Sequence, residues 1–143
     1  MRTLRLLLLP AACSLLAAAG CGGDSVLNLP PDILTVSADG LTQNQDEPEE
    51  HVKCVSSRTD RVNLDVEVED LDSDTLTFEW SPEDQIRNRR TQSPQLDLSL
   101  FDTDQLTGDM LITATVIVSD GKNSVQGFVN VLYDTNGNCQ LDE

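Results

Sequence analysis

The chain of 143 residues carries 9 basic and 25 acidic side chains, which gives a formal net charge of −16. Such a surface repels nucleic acid and anionic lipid headgroups, so neither is an expected partner. The length allows one domain of ordinary size around a single core.

The first 20 residues predict a secretion signal. "MRTLRLLLLPAACSLLAAAGC" starts with basic residues, continues with Leu and Ala, and ends with small residues before Cys21. The apolar stretch is too short to be a good membrane span. The run "AAGC" at 18–21 resembles a bacterial lipobox, whereas the proline in "PAAC" makes Cys13 a poorer match. Ordinary cleavage near Ala19, with Cys21 left as a thiol, is the alternative.

The resemblance to a lipoprotein signal implies that Cys21 is the first residue of the mature chain. Acyl chains such as palmitate would then attach the protein to a membrane of the cell envelope. Gly22 stands where an Asp signals inner-membrane retention in well-studied bacteria, so the outer membrane is the expected location. Loss of two arginines with the signal would change the net charge from −16 to −18. Residues 21–32 contain Gly, Ser and paired Pro, and predict a tether.

Residues 33–143 predict an all-β domain, because apolar and polar residues alternate with a period of two. The stretch "ILTVS" at 33–37 is a possible first strand, and the acidic stretch 38–51 reads as a loop. In the turn "SDGKN", a loop of two or four residues keeps the flanking valines on one face. Five further stretches alternate, with these inward residues: Val62, Leu64, Val66 and Val68; Leu76, Phe78 and Trp80; Leu96, Leu98 and Leu100; Met110, Ile112, Ala114, Val116 and Val118; Val125, Gly127, Val129, Val131 and Tyr133.

Short strands separated by turn residues are typical of an antiparallel β-sandwich. The segments "VEVEDLDSDTLTFEWS" and "ITATVIVSDGKNSVQGFVNVLY" resemble immunoglobulin-like domains of the PKD and cadherin-like type, over roughly residues 60–133. The resemblance implies an immunoglobulin-like β-sandwich with Trp80 in the core. It also implies a spacer or binding module rather than an enzyme. The chain departs from the pattern in having one such domain and in carrying two cysteines outside the resembling segments.

Cys54 and Cys139 are the two cysteines that follow the signal and the lipidation site. A secreted chain enters a compartment that permits disulfides, so we expect the two to pair. Two free thiols are the alternative.

Two acidic segments are candidate calcium sites, because calcium takes six to eight hard oxygen ligands. Calcium is accordingly the candidate cofactor, although Asp and Ser also form ordinary turns. The tail places oxygens at alternate positions of an EF-hand loop, but Cys139 replaces the required Gly and the twelfth position is missing, so we expect weak binding. The candidate ligands are Asp70, Asp72 and Asp74 in "EDLDSD" and Asp134, Asn136, Asn138 and Asp142 in the tail.

The basic cluster "RNRR" contains Arg87, Arg89 and Arg90. It is either a solvated hairpin loop or a docking point for an anionic glycan or phosphate, which forked guanidinium groups bind well. The single histidine, His51, lies in an acidic loop, and no carboxylate pair stands out as catalytic. We therefore expect no enzyme activity.

Together these features predict a lipid-anchored cell-envelope protein that acts as a surface binding or spacer module and is modulated by calcium. The expected partners are the membrane, reached through the lipid, and an envelope protein or an anionic glycan. The alternative is an envelope hydrolase or an accessory subunit of an envelope enzyme, which a cleft with a perturbed carboxylate pair would favour.

Overall fold

The computed structural model describes residues 28–48, 50–72 and 74–139, and the lipobox segment lies outside these residues. The described chain forms two packed β-sheets with strand orders β2-β1-β4-β7-β6 and β3-β9-β8-β5. The predicted all-β, immunoglobulin-like sandwich is thereby confirmed. In this part of the chain, no helix is long and apolar enough to cross a membrane. The strands are β1 Asp32–Ala38, β2 Leu41–Thr42, β3 Lys53–Val55, β4 Arg61–Glu69, β5 Thr77–Ser81, β6 Ile86–Arg87, β7 Gln95–Asp97, β8 Met110–Ser119 and β9 Ser124–Tyr133.

The alternating residues form the core between the sheets. Along β4, Val62, Leu64 and Val66 are buried while the residues between them are exposed. Trp80 on β5 is fully buried, and its indole Nε1 donates a hydrogen bond to the carbonyl of Thr91 at 3.0 Å. The prediction of a core tryptophan is therefore confirmed, with its one polar atom satisfied, as buried indoles require.

The β8–β9 hairpin has the four-residue connection that the sequence allowed. Val118 pairs with Val125 and Ser119 with Ser124, which leaves residues 120–123 as the loop. Asp120 accepts hydrogen bonds from the backbone N–H groups of Lys122 and Asn123 at 2.7 and 2.6 Å. This side chain closes the turn in place of a backbone acceptor.

Two details of the predicted strands are wrong. The sandwich is not purely antiparallel, because the short strand β3 pairs in parallel with the end of β9. The stretch "QLDLSL" is a strand only to Asp97 and continues as a 3₁₀ turn, Leu98–Leu100, which leaves Leu100 39% exposed. The cause is the carboxylate of Asp97, which accepts the N–H of Ser99 at 3.0 Å and so caps the turn.

The predicted loop at 38–51 contains the end of β1 and the short strand β2, and the segment that follows β2 is tied to the edge of β9 by two glutamine side chains. Gln45 donates to the carbonyl of Phe128 at 2.9 Å and accepts its N–H at 3.0 Å, while Gln43 accepts the N–H of Asn130 at 3.0 Å. These amides take the place of a neighbouring strand. Leu132, which points away from the core, is also fully buried.

Gly127 on β9 marks a close approach between the two sheets. A Cβ at this position would lie 2.7 Å from Cγ2 of Val36 and 3.3 Å from Cδ1 of Ile33. We expect Gly127→Ala to lower the free energy of unfolding by about 1–3 kcal/mol, as overpacking a core does. Urea unfolding measures this, with Gln126→Ala on the exposed side of the same strand as control. Equal stability of the two variants would contradict the close approach.

Candidate functional site

The chain enters the sandwich at one end, and its C-terminal tail leaves from the opposite end. At the end where the chain enters, here called the tether pole, Asn28 donates to Asp120 at 2.6 Å and the N–H of Leu29 donates to Asp72 at 2.5 Å. At the opposite end, here called the tail pole, β9 ends at Tyr133 and the acidic tail begins. The two acidic segments predicted from the sequence therefore lie at opposite ends of the domain.

The loop after β4 supplies the carboxylates of the tether pole. One carboxylate oxygen of Asp70 accepts the N–H of Asp72 at 2.9 Å, and the other is buried without a hydrogen-bond partner. A buried anionic oxygen without a partner is costly unless a cation or a proton compensates it. Asp74, in the same loop, is exposed. The contacts thus distinguish Asp70 and Asp72 from Asp74 as candidate ligands.

Asp120 remains ionised at the tether pole. Hydrogen bonds from the backbone N–H groups of Asn123 and Lys122 hold the pKa of its carboxyl far below the ordinary value. Burial opposes this effect, and the side chains of Asn123 and Asn28 add to it. A fixed negative charge therefore stands where the tether joins the sandwich.

The tail pole is closed by a disulfide between Cys54 on β3 and Cys139. Their Cα atoms lie 5.6 Å apart, within the range that a disulfide spans. The pairing expected from the sequence is present, and it attaches the start of the tail to the sandwich.

Asp134 organises the turn that precedes this disulfide. The side chain is buried, and its carboxylate accepts hydrogen bonds from the backbone N–H groups of Asn136, Gly137 and Cys139. Burial opposes ionisation, but these donors outweigh it and lower the pKa of Asp134. The side chain therefore acts as the centre of a turn, and fewer of its lone pairs remain for a cation.

Asp109 belongs to the same turn and was not anticipated from the sequence. Its carboxylate accepts the N–H of Thr135 at 2.9 Å and the hydroxyl of Thr135 at 3.1 Å. No sequence signal connects it to the tail, because the contact depends on the β8–β9 register.

The described residues contain one group of three potential metal-binding side chains within 4.8 Å of one another, namely Cys54, Asp134 and Cys139. The disulfide occupies two of these ligands. Asp142, the last ligand expected in the tail, lies outside the described residues.

The basic cluster is divided among different partners. Arg89 forms ion pairs with Glu79 at 2.8 Å and Glu83 at 3.0 Å, whereas Arg87 contacts Asp97 at 2.5 Å. Arg90 is exposed and borders an open pocket of about 480 Å³ beside Arg89. Because acidic side chains pair with Arg87 and Arg89, the three arginines do not form one continuous basic patch.

These sheets and their buried tryptophan define the class of protein as an immunoglobulin-like β-sandwich. No protein-family model matches the sequence, and comparison with curated proteins finds no match. Among similar solved structures is the crystal structure of human protocadherin-24 EC1-2, with 22% sequence identity and a TM-score of 0.44. The match covers 76% of this chain and 44% of that chain. Because this likeness is slight, the fold assignment rests on the two sheets.

Proposed function

We propose that the protein is a non-catalytic module held at the envelope surface by a lipid on Cys21. The lipobox-like run before Cys21 and Gly22 after it support an anchor in the outer membrane. The sandwich then acts as a binding or spacer domain beyond the anchor. An envelope protein or a glycan is the partner class that we propose for it.

The observation that carries this proposal is the position of the two ends of the chain. Six residues, 22–27, lie between Cys21 and Asn28, whose side chain contacts Asp120 at the tether pole, and the extended chain from Cys21 to Asn28 spans at most about 25 Å. The ten residues of β9 lead from the tether pole to the tail pole, a distance of about 30 Å. A lipid at Cys21 would keep the tether pole near the membrane and point the tail pole outward.

We expect Cys21→Ser to move the protein from the membrane fraction to the soluble fraction and to abolish labelling with radioactive palmitate. The reason is that acyl chains are the proposed attachment, and serine cannot form the thioether. Cys13→Ser is the matched control and should retain both properties. Continued membrane fractionation of Cys21→Ser would contradict the proposal.

We also propose that calcium binds at the tether pole through Asp70 and Asp72. The support is the buried oxygen of Asp70 without a partner, since a hard cation would compensate it. The tail is the less favourable of the two candidate segments, because backbone N–H groups already occupy the carboxylate of Asp134. Bound calcium would stiffen the junction between tether and domain through the contact of Asp72 with Leu29.

Calcium should raise the melting temperature of the wild-type protein, and Asp70→Asn should remove most of this rise. At ten times the dissociation constant, binding stabilises the folded state by about 1.4 kcal/mol. Differential scanning calorimetry measures the shift, with magnesium at the same concentration as the ion control. Asp104→Asn, which removes an exposed charge elsewhere, should keep the full response. An equal loss in both variants would indicate general charge screening and contradict the site.

A further inference from the structure

Two arginines meet at one buried carboxylate on the outer face of the five-stranded sheet. Arg61 on β4 lies directly opposite Asp97 on β7, and Arg87 lies on the neighbouring strand β6. The Nε atoms of Arg61 and Arg87 lie 3.1 and 2.5 Å from the same oxygen of Asp97. The two cations are therefore held side by side, although like charges repel.

Asp97 is held in one position and carries a negative charge. Its side chain has no exposed surface, and its second oxygen accepts the N–H and the hydroxyl of Ser99. Burial opposes ionisation, but the hydrogen bonds from Ser99 and Arg87 lower the pKa of Asp97 to about 2. The carboxylate stays ionised at neutral pH and keeps both guanidinium groups in place.

The contact leaves binding capacity on both arginines. Each donates through Nε, so the two Nη groups at the end of each guanidinium are not used in this contact. The side chains of Arg61 and Arg87 are 55% and 48% exposed. Two guanidinium charges against one carboxylate leave one positive charge on a chain whose net charge is −16.

We infer that Arg61 and Arg87 bind a single carboxylate group of a partner, with Asp97 as the positioning residue. A forked guanidinium matches the two oxygens of a carboxylate, and one residual positive charge matches one negative charge. A polyanion would be repelled by the net charge of −16 that the chain carries. The inference deepens the proposed function. It rests on that function only in treating the domain as a binding module.

The position of the pair suits a surface partner. Arg61 is the first and Glu69 the last of the nine residues of β4, so Arg61 lies about 26 Å from the tether-pole end of that strand. If the tether pole faces the membrane, the arginine pair lies on the outer half of the domain. Single carboxylates that could reach an exposed site of this kind occur at the ends of peptides and on uronic acid sugars.

The test is an NMR titration of the arginine Nε–H signals in the full chain, extracted from membranes in a non-ionic detergent. The probes are N-acetyl-alanine, for a peptide carboxylate, and methyl glucuronide, for a sugar carboxylate, with methyl phosphate as the competing anion. Sodium chloride at equal ionic strength is the control. At least one probe should shift the Arg61 and Arg87 signals to saturation, and the probe that binds more tightly identifies the source.

Variants locate the site. Arg61→Lys keeps the charge but loses the fork, and we expect it to weaken binding about fivefold to tenfold, as loss of a charge-assisted hydrogen bond does. Arg87→Gln should act likewise, and Arg90→Gln, outside the pair, should bind as the wild type does. Backbone amide spectra verify that each variant is folded.

Three outcomes overturn the inference. They are shifts that chloride reproduces, loss of binding in Arg90→Gln with Arg61→Lys unaffected, and tighter binding of methyl phosphate than of either carboxylate. Because the titration is recorded on the solubilised protein, its failure leaves the lipid anchor untouched. If the anchor fails, the soluble protein can be titrated in the same way without detergent.

Discussion

Trp80→Ala should lower the free energy of unfolding by about 3–5 kcal/mol, the cost of emptying a large core site. The indole is fully buried between the sheets and satisfies its N–H with the carbonyl of Thr91. Removal leaves a cavity and a carbonyl without its donor. Urea unfolding followed by far-ultraviolet circular dichroism measures the change, because the variant lacks the tryptophan fluorophore.

Two further variants separate the contributions at this site. Trp80→Phe keeps much of the volume and loses the hydrogen bond, so its free energy of unfolding should lie between those of the wild type and Trp80→Ala. Leu71→Ala removes a side chain that is 73% exposed and should change stability little. Trp80→Ala with a stability close to that of Leu71→Ala would contradict the described core.

Replacing both Cys54 and Cys139 with serine should lower the free energy of unfolding by about 2–5 kcal/mol. The disulfide closes a loop with a sequence separation of 85, for which the chain-entropy model gives about 4.5 kcal/mol. It also joins the three-residue strand β3 to the start of the tail. Equilibrium unfolding in non-reducing buffer compares the double variant with the wild type.

The wild-type protein in reductant is the matched control and should unfold at the same denaturant concentration as the double variant. Intact mass spectrometry should show the unreduced wild type two hydrogens lighter than the reduced protein. Labelling of both cysteines by a thiol reagent in the unreduced, folded protein would contradict the pairing.

Much of the fold could be predicted because burial follows the alternation so closely. Along β4 and β8, every second residue is apolar and buried except Val68 and Met110, which are half-buried near the strand ends, so the sheet faces can be read directly from the sequence. The short strands β2 and β6, of two residues each, are too brief to show a period. The 3₁₀ turn after Asp97 looks like a strand in sequence, because Leu96, Leu98 and Leu100 alternate with polar residues. A hydrogen bond from the backbone N–H of Ser99 to the carboxylate of Asp97 ends β7, and the hydrophobic pattern does not reveal it.

The site could be predicted only in part, because its components come from distant segments. The pairing of Cys54 with Cys139 could be expected, since the signal and lipidation site account for the other cysteines. The role of Asp134 as the centre of a turn could not, because a carboxylate that accepts N–H groups and one that binds calcium look alike in sequence. The proximity of Arg61 to Arg87 depends on the register of β4, β7 and β6, whereas the sequence grouped Arg87 with Arg89 and Arg90.

The most direct test of the proposed function is mass spectrometry of the N-terminal peptide of the protein isolated from its own membranes. We predict a peptide that begins at Cys21 and carries a diacylglycerol thioether, with a mass that falls after ester hydrolysis. A peptide that begins at any other residue, or an unmodified Cys21 at the N-terminus of the membrane-bound protein, would contradict it.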